Sequence, residues 1–203
     1  GGSMGEVSGA KIAAALELAV EDNRNGIPRA AILLLETGGV RLQEANLGLA
    51  AIADIHSAIV ELRSSQPVIG VIAGTVGCFG GMSIAAGLCS RLIVTREARV
   101  GLNGPQVIEQ EAGLDDYDSR NRPFIWSFTG GEQRHASHLV DAFCQDSVDE
   151  IRAQVVTYLQ ENGGTPRSEC YEFFLRQLAQ VGPEQVTPED VRQLYKELPE
   201  ALS

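Results

Sequence analysis

Two glycine pairs stand where main-chain chemistry is possible. Gly38-Gly39 follows the apolar run AAILLLE, and Gly80-Gly81 comes shortly after PVIGVIAG and opens the segment MSIAAG. Glycine lets a ligand approach the backbone closely and reaches torsions closed to other residues. An N–H aimed into a cavity is a fixed partial positive charge. A helix start adds unsatisfied N–H groups and the positive end of the helix dipole. Two such donors converging on one point would hold a negative oxygen, and removing one typically costs about a hundred- to a thousandfold in rate. The same pairs also suit plain turns that pack a helix on a sheet. Spacing alone leaves both readings open.

Other side chains could join such a site. Asn103, just before Gly104-Pro105, could orient a substrate group or simply make a turn. Glu109 and Gln110 in GPQVIEQ are candidates for site lining or for giving a proton; as ordinary helix side chains they would do neither. Gly81-Met82-Ser83-Ile84-Ala85 falls one residue short of the G-x-S-x-G nucleophile elbow. A triad would need a histidine within reach, and the three present are His56 inside a predicted long helix, and His135 and His138 far downstream. Ser83 therefore reads better as a small packing residue. His135 and His138 lack a third ligand pattern for a metal. The carboxylates of DDYD lack calcium-loop spacing, and Arg120, Arg122 and Arg134 suit surface roles better than phosphate binding.

These residues need elements to place them. VSGAKIAAALELAVEDN has the apolar spacing of an amphipathic helix. AAILLLE, PVIGVIAG and RLIVT read as buried strands, and ARVGLN as a fourth. RLQEANLGLAAIADIHSAIVELRSS reads as one long helix, with Leu42, Ala45, Leu49, Ile52, Ile55 and Ile59 on its apolar face, and GGMSIAAGLC as a short packed helix. Beyond Gly104 come short helices and an acidic loop, a small strand in HLVDAFCQD, and the helix VDEIRAQVVTYLQ stopped by Gly163-Gly164. Two further helices follow, the last capped by Thr187 with Pro188 first inside. This βαβ alternation predicts a parallel sheet, whose ligands sit where strand ends meet helix starts.

Composition narrows the function. The 203 residues suit one domain with appendages. Against 16 basic residues stand 27 acidic ones, net −11, the wrong sign for a nucleic-acid surface. The two lysines, Lys11 and Lys196, lie outside every glycine cluster, so no phosphate-binding P-loop is present. No apolar run approaches the ~20 residues of a membrane span. Four cysteines (Cys78, Cys89, Cys144, Cys170) without a CxxC pair read as free thiols of a cytoplasmic protein.

GGSMGEVSGAK, ETGGVRLQEA and GLNGPQVIEQ resemble signature stretches of the carboxyltransferase beta subunits of bacterial acetyl-CoA carboxylase. AGTVGCFGGMSIAAGLCSRLIVTREARVGLNGPQVIEQEAG and TGGEQRHASHLVDA are more similar still to the beta subunits of biotin-independent malonate decarboxylases. The likeness implies an α/β, crotonase-like (ClpP/crotonase) spiral of ββα units with a parallel sheet and packed helices. It covers residues 1–145, implying a core there that lacks an N-terminal segment, with 146–203 as a helical extension. It assigns Gly38 and Gly39 to a first oxyanion loop and Gly80 and Gly81 to a second. It implies decarboxylation of a malonyl group on an acyl carrier protein, through its CoA-like prosthetic arm, to an acetyl thioester. A gamma subunit would be the partner, with no biotin, metal or tightly bound cofactor. The alternatives are a carboxyltransferase subunit of an acyl-CoA carboxylase and a Clp-like serine hydrolase using Ser83. A bulky residue at Gly39 or Gly81 is expected to abolish turnover and spare the fold.

Overall fold

The computed structural model describes residues 2–161, 165–182 and 186–195. Four parallel strands, β2 (Ala31–Leu34), β4 (Val68–Ile72), β5 (Arg91–Thr95) and β6 (Ala142–Cys144), form the main sheet in the order β2-β4-β5-β6. Every residue of β4 is buried because both of its faces are covered. Val68 and Ile72 join a cluster with Ile55, Ile59 and Leu62 of α2 (Asn46–Leu62), Met82 and Ala85 of α3 (Gly81–Leu88), and Leu16 of α1 (Glu6–Arg24). Ile69 and Val71 face Val155 and Tyr158 of α7 (Val148–Gln160) on the other side. The edge strand β2 turns Ile32 and Leu34 outward, beyond that cover.

A second, thinner layer crosses the ends of the main strands. Its parts are β1 (Ser3–Met4) paired in parallel with β3 (Gly39–Val40), and single parallel bridges linking Thr37 to Cys78 and Cys78 to Val100. The chain thus repeats one path: main strand, short second-layer segment, helix. It does so through β2, Thr37–Val40 and α2, then through β4, Cys78 and α3, then through β5, Val100 and α4 (Pro105–Ala112).

Two sequence-based expectations are corrected. The long helix from Arg41 is broken: Leu42–Glu44 is a 3-10 turn, and Ala45 takes φ 46° before α2 starts. The break turns Glu44 back so that its carboxylate accepts the Glu6 N–H at the start of α1 and pairs with Arg41. Leu42 and Ala45, at the break, are exposed rather than in the core, and Leu49, on the outer face of α2, is exposed too. ARVGLN contributes isolated bridges from Arg99 and Val100 rather than a strand. The Gly163-Gly164 stop and the chain beyond Tyr195 lie outside the described residues. Thr187 does cap α9 (Pro188–Leu194), in a reciprocal capping box with Asp190.

All four cysteines are free thiols. Burial pushes Cys78 and Cys89 up to about 12, and raises Cys144 as well. A thiolate is the reactive form. Native protein at pH 8 is therefore expected to react with iodoacetamide at half-exposed Cys170 well before the other three, as read by peptide mass mapping; rapid labelling of Cys78 or Cys89 would contradict the packing.

Candidate active site

The register of the second layer brings the two glycine pairs together. Thr37 is level with Cys78, so two residues on Gly39 is level with Gly80; Cys78 is level with Val100, so Leu102 is level with Gly80 too. The ladder is continuous: Thr37 N–H donates to Gly77 C=O at 2.8 Å, Phe79 N–H to Thr37 C=O at 3.1 Å, and Gly80 N–H to Leu102 C=O at 2.7 Å. Gly39 and Gly80 then meet back to back. A Cβ on Gly80 would stand 3.1 Å from Gly39 Cα, and one on Gly39 would stand 3.4 Å from Gly80 Cα. Both have positive φ, 107° and 63°, which favours glycine at both, and the tight 3.1 Å contact adds a steric requirement at Gly80.

Not all four glycines can donate. Gly38 N–H is spent on Gly2 C=O at 3.0 Å, Gly39 N–H on Thr37 Oγ1 at 3.2 Å, and Gly80 N–H on Leu102. Gly81 N–H, first in α3, has no acceptor among the described residues, as expected of a helix's opening amides. Its direction is fixed from behind. Gly80 C=O, in the same peptide plane, accepts from Ser83 Oγ at 2.7 Å and Ser83 N–H at 3.0 Å. In a trans peptide the N–H points opposite to the C=O, so Gly81 N–H points out of the helix start.

Sequence reasoning missed Val40. Arg41 N–H donates to Met4 C=O at 2.7 Å, and successive N–H groups of a strand alternate sides. Val40 N–H is therefore turned away from β1. Its nitrogen lies 3.7 Å from where a Gly80 Cβ would be, so the Val40 and Gly81 amides flank the same bare Cα. The only signal in the sequence was position: Val40 follows the pair.

The other candidates separate. Asn103 is exposed and adjoins Leu102, beside the glycines. Glu109, late in α4, accepts the Ser119 N–H at 2.7 Å; chiefly that bond holds its carboxyl below the usual range. It is ionised at neutral pH and has no proton to give. Gln110 is exposed on the same helix. Arg120 pairs with Asp118 in its own loop, Arg122 stacks on Trp126 at 4.9 Å, and Arg134 donates to Val100 C=O at 2.9 Å. Arg99 bonds Thr75 C=O at 2.7 Å and packs over Phe79, steadying the loop ahead of Gly80.

Ser83 has no base. His56 reaches the start of α3, but its Nε2 lies 2.7 Å from Gly81 C=O. A carbonyl only accepts, so this nitrogen carries the proton and cannot take one from Ser83. Gly81 itself is packed tightly: a Cβ there would meet Ile52 Cγ2 at 2.8 Å. A bulky residue at Gly81 would therefore force α2 and α3 apart, which corrects the expectation that the fold would survive it.

A three-turn spiral of parallel strands and helices, closed by main-chain amides at the second layer, defines the crotonase-like fold class. Within it, the chain belongs to the carboxyl transferase domain family, whose model matches residues 1–201. The chain of a Pseudomonas malonate decarboxylase hetero-tetramer in complex with malonate is 66% identical, with a TM-score of 0.91 over 95% of this chain and 71% of that one. A Pseudomonas malonate decarboxylase hetero-dimer contains a chain 63% identical, with a TM-score of 0.77 over 87% of this chain and 74% of the other. The malonyl-S-ACP:biotin-protein carboxyltransferase of Malonomonas rubra is 37% identical over 171 residues, 79% of this chain; the chain spans 54% of that relative's length.

Proposed function

We propose that this chain, assembled with a gamma subunit of related fold, decarboxylates a malonyl thioester to an acetyl thioester. The observation that carries the reading is the apposition of Gly39 and Gly80, which leaves the Gly81 and Val40 amides around one bare Cα. The electrons of the breaking C–C bond move into the thioester carbonyl, carbon dioxide leaves, and the enolate oxygen collects the charge. Donors aimed at that oxygen stabilise the transition state more than the ground state, because the charge is larger there. The α3 dipole adds its positive end. Proton delivery to the enolate carbon then falls to water or to the partner, since Glu109 is ionised and turned to Ser119. Asn103 would orient the acyl group from the third strand end.

The substrate proposed is malonyl-acyl carrier protein, presented on its CoA-like arm, with no biotin involved. Carboxyl transfer to biotin is the second reading, supported by the activity named for the Malonomonas relative. The test is to incubate the chain, alone and with the partner, with malonyl-acyl carrier protein or malonyl-CoA, with and without biotin. Acetyl thioester and carbon dioxide forming at the same rate without biotin is the expected result. Acetyl thioester forming only when biotin is supplied, with the carboxyl group recovered on the biotin rather than as carbon dioxide, would favour transfer.

Ser83→Ala separates both readings from the hydrolase. The Ser83 N–H still bonds Gly80 C=O in this variant, so decarboxylation is expected to fall less than about tenfold. A serine nucleophile would cost about a millionfold when removed. A dead Ser83→Ala enzyme would favour hydrolysis.

A further inference from the structure

We propose that His56 is a positioning residue for the reaction, acting through the first turn of α3 rather than on the substrate; the inference rests on the main-chain reading above. Three contacts hold the opening of α3. Ser83 holds the Gly80 carbonyl, Ile52 closes on the Cα of Gly81, and His56 donates Nε2–H to the Gly81 carbonyl at 2.7 Å. The last two come from α2, one turn apart, and meet the same residue, Gly81, which lies 25 positions beyond His56 in the chain. That carbonyl already lies in a helix, where its ordinary partner is the amide four residues on. The histidine bond is thus an extra tether to α2 and is not needed to form α3.

The tether matters because the neighbouring amides have no side chain to steer them. Glycine leaves the Gly80-Gly81 junction intrinsically permissive, and φ is 63° at Gly80. If the first turn of α3 shifts, the Gly81 N–H shifts with it, and a displacement near 1 Å can cost about a hundredfold. With Ser83 and Ile52 still in place, loss of His56 is expected to lower kcat about tenfold. KM for the malonyl thioester should stay within about twofold, because the interaction lost acts in the transition state.

Reach decides which replacement works. The glutamine Nε2 can occupy the place of the histidine Nε2 and donate there, whereas the asparagine amide is one carbon shorter. The experiment is steady-state decarboxylation by the assembled enzyme carrying His56→Leu, His56→Asn or His56→Gln. Leucine and asparagine variants about tenfold down in kcat, with glutamine within about threefold of the parent, is the expected pattern. Equal activity of asparagine and glutamine variants, or a leucine variant as fast as the parent, would overturn it. Should the leucine variant fail to assemble, the asparagine–glutamine comparison still decides. Gly39→Val in parallel separates the two levels of inference. If it keeps full turnover, the main-chain reading falls. If it is inactive while every His56 variant is normal, only the positioning role falls.

Discussion

Gly39→Val is expected to lower turnover about a hundredfold or more while the chain still folds and assembles. At φ 107° a β-branched residue is strained, at a cost of about 1–3 kcal/mol, which a domain of ordinary stability tolerates. The first carbon of the new side chain would touch Gly80 Cα at 3.4 Å, and its methyl groups would fill the gap between the two loops. The loss arises from displaced amides and lost room, since Gly39 N–H is itself bonded to Thr37. Alanine should be milder, because its contact with Gly80 is an ordinary one. Single-turnover decarboxylation measures the effect, with circular dichroism and partner binding as controls. Unimpaired turnover by a folded valine variant would remove the basis for placing the chemistry between these loops.

The largest effect on stability is expected at Asp141. Its carboxylate accepts the Leu92 N–H at 2.6 Å and pairs with the nearly buried Arg167. Arg167 also donates to Cys89 C=O at 3.3 Å, and Arg63 beside it donates to Leu88 C=O at 2.7 Å and to Ser168 Oγ at 2.9 Å. Two guanidinium groups thus close the C-terminal end of α3, where cations are favoured. Asp141→Ala leaves Arg167 buried without its carboxylate, a change worth about 3–5 kcal/mol. For a chain of this size that lowers Tm by roughly 6–20 °C. Adding Arg167→Met should recover much of the loss, because the stranded charge is then gone. A Tm shift under about 2 °C on thermal unfolding of Asp141→Ala would show that the pair contributes little.

Local pattern carried the sequence reading wherever burial is simple. PVIGVIAG is apolar throughout, and RLIVT is apolar at its centre, because both faces of these strands are covered, and no helix of their length would need that. It failed where a single torsion decides. Nothing in RLQEANLG marks Ala45 for φ 46°, because the gain comes from Glu44 reaching α1, a contact 38 residues away. The glycine pairs could be picked out because glycine is rare in strands without cause. Their separate duties could not. Which amide is spent and which is left open depends on pairings between segments some forty residues apart, such as Thr37 with Cys78. Val40 carries no side-chain signal because only its amide is used. The part of His56 was hidden for a similar reason: its partner is a carbonyl, which every residue possesses.

The open donor at residue 81 belongs to the polypeptide itself, and that limits what genetics can do to it. No codon change deletes an amide hydrogen there, except to proline. Substitutions nearby can only retune its aim, its surroundings or its access. An ester linkage between residues 80 and 81, introduced by semisynthesis, would erase the hydrogen and leave every side chain intact. Over evolutionary time the same property makes the donor robust, since drift in side-chain identity does not touch it while the two φ-positive glycines and the strand register persist.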